Sequence, residues 1–174
     1  GFDDKFTVLS FGGSLGAAAI NKTVREALPQ LLKDFQIIHI CGKEKVDNLL
    51  LNVPGYKQFE YVKAELKDFF ALADLVISRA GANAICELLA LHKPNILIPL
   101  SAAASRGDQI LNAKSFAKQG FSYVIEEENL TEQVLLDAIH NVYHDRDKYK
   151  KAMSESGQMD SIGTIVKLIE SVSK

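Results

Sequence analysis

Three short stretches of this 174-residue chain carry residue types whose spacing points to chemistry. The first is FGGSLGA, Phe11 to Ala17, which sits between an apolar run (FTVLS) and a helical pattern (AAAINKTVREALPQLL). Gly12, Gly13 and Gly16 remove the Cβ atoms that would hold a ligand away from the backbone. The helix that follows opens with unpaired N–H groups and a partial positive charge, so loop and helix together suit an anion. Ser14 can cap that helix or donate its hydroxyl. The spacing is neither GxGxxG nor GxxxxGK[ST]. A tight turn with a serine cap and no ligand therefore stands beside the anion site as a reading of the same residues.

The second stretch, SRAGAN, repeats the device: Ala80, Gly81 and Ala82 follow an apolar run and precede another helical pattern. Glu87 lies further along that helix in ICELLALH, among Ile85, Leu88 and Leu89, and is expected along the loop edge. A carboxylate there can accept two hydrogen bonds from vicinal hydroxyls such as those of a ribose. It can equally be a solvated surface charge. The third stretch, SAAASRGDQILNA, brings Arg106, Asp108 and Gln109 to the start of a helix. Asp and Gln suit sugar hydroxyls, the one as acceptor and the other as both donor and acceptor. The plain alternative for Asp108 is a first-turn helix charge, worth ~0.3–1 kcal/mol.

Other polar residues point nowhere special. The Gly42-Lys43 pair in CGKEK lacks the first P-loop glycine, because Ile37 stands in its place. Gly42 is expected in a turn and Lys43 at a solvated helix start. His39, His92, His140 and His144 make no metal set. The last two are spaced i, i+4, but Asn141 stands where HExxH needs Glu. Cys41 and Cys86 form no CxxC pair and are expected as reduced, buried thiols. There is no GxSxG elbow.

The elements that must position these loops alternate regularly. Strands are expected at FTVLSF, QIIHIC, KQFEYV, DLVISRA, PNILIPL and FSYVIEE. Helices follow at AAAINKTVREALPQLL, KEKVDNLLL, AELKDFFALA, GANAICELLALH, RGDQILNAKSFAKQG and NLTEQVLLDAIHNVYHD, with two further helical stretches behind them. This is the pattern of βαβ units: an α/β, Rossmann-like, doubly wound parallel sheet of about six strands with helices on both faces. Right-handed crossovers put the strand-to-helix loops on one edge, where ligands of such sheets bind. Spacing alone thus points to a nucleotide or nucleotide-sugar diphosphate.

Composition agrees with one globular domain, at 47% apolar and 24% charged residues. The net charge of −2 provides no field for nucleic acid or an anionic membrane, so an anion must be held by local geometry. No apolar run approaches the ~18 residues of a membrane span. The start, GFDDKFTVLS, enters the first strand almost at once and points to a piece of something longer.

FGGSLGAAAIN, then EYVKAELKDFFALADLVISRAGANAICELLALHKPNILIPL, then SRGDQILNAKSFAKQG resemble the C-terminal half of the MurG family. These bacterial transferases add N-acetylglucosamine to lipid I to make lipid II in peptidoglycan synthesis. The resemblance runs from about Thr7 to about Ile169. It implies the C-terminal half of a GT-B glycosyltransferase, an inverting hexosyltransferase that needs no cofactor, and UDP-GlcNAc as donor. By the same resemblance, Gly13, Ser14 and Asn21 belong to the donor site. Val62 pairs with the uracil edge through its backbone, and Tyr61 packs near the base. Backbone N–H groups around Gly81, Ala82 and Asn83 face the diphosphate, and Glu87 holds the ribose. Asp108 and Gln109 match a Gln-Gln pair that reads the sugar, with Asp as a departure from it. The family's N-terminal domain, with the acceptor site for lipid I, the membrane-facing surface and the general base, is missing from this chain. So is a family arginine near the donor phosphates. The resemblance therefore implies a fragment that binds donor without turnover, cytoplasmic, with the full-length protein peripheral on the inner face of the cell membrane. Two rivals remain. One is a stand-alone nucleotide-sugar-binding subunit of a two-chain transferase. The other is a dinucleotide-binding oxidoreductase domain, which the missing GxGxxG disfavours.

Overall fold

The computed structural model describes residues 4–13, 17–101 and 107–156. Six strands alternate with helices: β1 Phe6–Phe11, α1 Ala18–Asp34, β2 Phe35–Ile40, β3 Tyr56–Phe59, α2 Leu66–Leu72, β4 Leu75–Ser78, α3 Ala82–Ala90, β5 Asn95–Leu97, α4 Asp108–Lys118, β6 Tyr123–Val124, α5 Glu132–His144 and α6 Arg146–Ser154. All strand pairs are parallel, in the order β3-β2-β1-β4-β5-β6. The chain winds outward from β1 to β3, then crosses back to β4 on the other side of β1. The switch point of the doubly wound sheet therefore lies between β1 and β4. Their ends are level, with Phe11 paired to Ser78, so the loops after both strands open at one place.

Period-two alternation covers both faces of the sheet. Val8, Ile37, Ile77 and Ile96 point to one core, with Ile20, Val24, Leu28 and Leu31 of α1 and Leu135, Ile139 and Val142 of α5. Leu9, Ile38, Val76 and Leu97 point to the other, with Phe70 of α2, Ile85 and Leu88 of α3, Phe116 of α4 and Met153 of α6. Each helix buries one stripe against the sheet and turns its polar side to solvent. Among the described residues no helix is long and apolar enough to cross a membrane.

The expected elements appear, with differences in length. KEKVDNLLL forms only a 3-10 turn, Asn48–Leu50, whose start is capped by Asp47 accepting from the Leu49 N–H at 3.0 Å. Gly42 at φ 96° and Glu44 at φ 59° break any helix before it, and Arg25 of α1 donates to the Lys45 carbonyl, anchoring the loop. The strand expected at KQFEYV starts one residue earlier and ends at Phe59, leaving Glu60, Tyr61 and Val62 in the following loop. Cys41 is buried as expected, but Cys86 is exposed. Ile85, Leu88 and Leu89 take the core side of α3, which turns Cys86 outward. The final stretch, DSIGTIVKLIESVSK, lies outside the described residues.

Candidate functional site

A cleft of about 640 Å³ opens at the switch point. It is lined by Phe11, Gly12 and Gly13 at the end of β1, by Ser78, Arg79 and Gly81 to Ala84 at the end of β4 and into α3, and by Leu100 and Gln109 beyond β5. The first loop is shaped by its glycines. A Cβ on Gly12 would stand 2.4 Å from the Ala17 nitrogen, so only glycine lets the loop fold back on the start of α1. Gly13 has φ +84°, a left-handed conformation that side chains resist.

The second loop hands the chain from β4 to α3. Gly81 is the N-cap, with extended φ and ψ, and it has no side chain to cap the helix. The first turn of α3, Ala82-Asn83-Ala84, carries no acidic residue. Its free N–H groups and the positive end of the helix therefore face the cleft uncompensated. By contrast α5, whose residues do not line the cleft, is capped by the Thr131 hydroxyl accepting from Val134. Among the described residues α1 likewise starts without a side-chain cap and without an acid in its first turn.

Cross-braces hold these loops. Arg79 is buried, donates to the carbonyls of Ile98 (3.0 Å) and Pro99 (3.2 Å), and is ion-paired with Glu127. Asn112 of α4 donates to the Ala80 carbonyl at 3.0 Å. The Leu100 N–H donates to Gln109 Oε1 at 3.1 Å, so what Gln109 offers a ligand is its Nε2 donor pair. Sequence reasoning passed over Arg79 and Asn112. An arginine directly before a small-residue loop at a strand end was the available signal for the first. Nothing in the sequence marked the second.

The structure brings Gly13, Gly81, Ala82, Asn83 and Gln109 to one cleft. Glu87, exposed and five residues into α3, lies ~7.5 Å further along the helix axis, at 1.5 Å per residue. It lines a neighbouring groove of about 520 Å³ between α2 and α3, with Lys63, Leu66, Lys67 and Phe70. Tyr61 and Val62 precede Lys63. Tyr61 is exposed, with the Lys63 ammonium 6.0 Å from its ring centroid, and Val62 is half-buried against the second core. Asp108 is exposed in the first turn of α4 and does not line the cleft.

Asn21 is placed elsewhere. It is buried, its Nδ2 donates to the Cys41 carbonyl at 2.7 Å, and its Oδ1 meets His39 Nε2 at 3.0 Å. Both ends of the amide are engaged inside the protein, so Asn21 is not brought to the cleft. Ser14 and Arg106 lie outside the described residues. Of the four histidines, His39 is fully buried, and burial, reinforced by Arg25, pushes its pKa down to about 3. Among the described residues no group of His, Cys, Asp and Glu gathers as a metal site.

Residues 7–169 match the glycosyltransferase family 28 C-terminal domain. The chain belongs to that family. It is 56% identical over 171 residues to the UDP-N-acetylglucosamine--N-acetylmuramyl-(pentapeptide) pyrophosphoryl-undecaprenol N-acetylglucosamine transferase of Lachnospira eligens, covering 98% of this chain and 48% of that protein. It is 60% identical over 165 residues to the transferase of the same name from Lachnoclostridium phytofermentans, covering 95% and 46%. The chain thus spans about half the length of the curated relatives it matches. The crystal structure of Acinetobacter baumannii MurG superposes with a TM-score of 0.77 at 26% identity, over 97% of this chain and 50% of that one. The Rossmann-like half of a GT-B glycosyltransferase expected from the sequence is the architecture found.

Proposed function

We propose that this chain is the donor-binding half of an enzyme that transfers N-acetylglucosamine from UDP-GlcNAc to lipid I, forming lipid II. The observation that carries the reading is the cleft at the β1/β4 switch point. It has a glycine loop on one side and the uncapped, acid-free start of α3 on the other. That environment suits a diphosphate, and the names of the relatives supply the sugar and the uridine.

The donor would lie along the sheet edge. Tyr61 and the Val62 backbone would take the base, and Glu87 would accept from the ribose hydroxyls. The N–H groups of Gly81, Ala82 and Asn83, with Gly13 opposite, would take the diphosphate. Gln109 would donate through Nε2 to a sugar oxygen. Ser14 is proposed as a further phosphate ligand and Asp108 as a sugar contact. In transfer, an acceptor hydroxyl displaces UDP at the anomeric carbon with inversion. Negative charge then grows on the leaving diphosphate, where the fixed dipole of α3 stabilises it without reorganisation. No general base is assigned to this chain. The acceptor site for lipid I and the membrane contact at the cytoplasmic face belong to an N-terminal domain, and the chain alone binds donor without turnover.

Calorimetric titration of the chain with UDP-GlcNAc, GDP and NAD tests this. Saturable one-to-one binding of UDP-GlcNAc alone is the expected result. A preference for NAD, or no heat with UDP-GlcNAc at millimolar concentration, would sink the reading.

A further inference from the structure

Behind the first loop a buried hydrogen-bond chain links three elements. Tyr56, at the start of β3, meets His39 Nδ1 at 2.8 Å, and His39, near the end of β2, meets Asn21 Oδ1 at 3.0 Å. Asn21, in the first turn of α1, donates Nδ2 to the Cys41 carbonyl at 2.7 Å, while its own N–H closes that turn on the Ala17 carbonyl at 2.8 Å. All three side chains are buried.

The direction of every proton follows from one end. A carbonyl only accepts, so the Asn21 amide must present Nδ2 to Cys41 and Oδ1 to His39. Oδ1 only accepts, so His39 carries its proton on Nε2. Its bare Nδ1 must then accept, and the Tyr56 hydroxyl donates to it. Arg25, also in α1, and Asp47 are charged groups beside this chain, and Arg25 is held by the Lys45 carbonyl and by Gln58 Oε1 at 3.0 Å. Nothing in the chain reaches the cleft, yet it anchors the first turn of α1 to the end of β2 and the start of β3. The start of α1 in turn meets the glycine loop, since Ala17 packs on Gly12.

We infer that His39 is a positioning residue: through Asn21 it fixes the start of α1, and with it Gly12 and Gly13, for the diphosphate of the bound nucleotide. This rests on the proposed donor reading, and it makes Asn21 a brace rather than a donor ligand. His39 acts on the phosphate end only. Of the groups proposed for the nucleoside, Glu87 lines the groove between α2 and α3, and Tyr61 and Val62 follow the far end of β3, away from Tyr56 at its start.

Amide NMR titrations of the chain with UDP and with uridine separate the two ends. His39→Leu removes both the donor to Asn21 and the acceptor for Tyr56 and should weaken UDP binding about tenfold, with uridine affinity unchanged within about twofold. His39→Gln places an N–H₂ near the former Nε2 and should restore most of the UDP affinity. Should His39→Leu fail to fold, Tyr56→Phe is read instead and should weaken UDP about threefold, again sparing uridine. UDP affinity unchanged in the variant read, or equal losses for UDP and uridine, would overturn the inference, because the first denies any role and the second is general loosening. Wild-type chain that binds neither ligand would instead overturn the donor reading, and the inference with it.

Discussion

Acid should destabilise this fold through His39 in a way that can be isolated. Burial, and secondarily Arg25, lowers the His39 pKa from 6.5 to about 3 in the folded chain. A buried imidazole resists charging because the interior cannot solvate the cation. The sign follows from proton counts. Between pH 6.5 and 3 the unfolded histidine binds a proton and the folded one does not, so stability falls as pH falls through that window. The stabilisation is fully present above pH 6.5 and is lost progressively below it. At pH 5 the unfolded side chain is about 1.5 units below its own pKa, which at ~1.36 kcal/mol per unit is a loss of about 2 kcal/mol. Urea unfolding followed by circular dichroism at pH 8 and pH 5, for wild type and for His39→Gln, gives the number as a double difference. Groups that titrate equally in both proteins cancel. Wild type should lose about 2 kcal/mol more than the variant between the two pH values. Parallel losses, within about 0.5 kcal/mol, would refute the reasoning and mean that the imidazole charges freely in the folded chain.

Other substitutions have equally definite outcomes. Gly12→Ala drives a Cβ to 2.4 Å from the Ala17 nitrogen and should cost about 1–3 kcal/mol in chemical unfolding, as overpacking does. Gly13→Ala meets no neighbour but is strained at φ +84°, so a smaller loss of about 1–2 kcal/mol is expected in the same assay. Arg79→Met strands Glu127 and two carbonyls, and should lower stability by about 3 kcal/mol. Glu87→Ala removes an exposed side chain, so the melting curve should stay within about 0.5 kcal/mol of wild type while calorimetry shows weaker UDP-GlcNAc binding.

The sheet was legible because each strand is an apolar run and each helix a longer periodic one. Val8 and Leu9, or Ile37 and Ile38, declare a strand covered on both faces, and that is where the two cores lie. The glycines at 12 and 13 marked the cleft because close approach and left-handed backbone leave few other choices, and Gly81 marked it as a small residue before a helix start. What escaped was set by contacts distant in sequence. Asn21 was assigned to the donor site by the resemblance alone, and its partners, His39 and the Cys41 carbonyl, stand 18 and 20 residues away in sequence. Lys43 to Asp47 carried helix-forming residues, yet Arg25 and Gln58 hold that segment in another shape. Cys86 was expected inside, but its place on α3 relative to Ile85 and Leu88 turns it out. Glu87 could be assigned to α3 from its pattern, whereas the groove it lines depends on how α2 packs.

The most direct test of the account is an amide NMR map of the chain saturated with UDP-GlcNAc. Shifts concentrated at Gly13, at Gly81 to Asn83 and at Gln109, with a second group at Val62 and Glu87, are what the account predicts. Shifts confined to the opposite edge, around the hollow lined by Asp74, Lys93, Lys150 and Lys151, would contradict it.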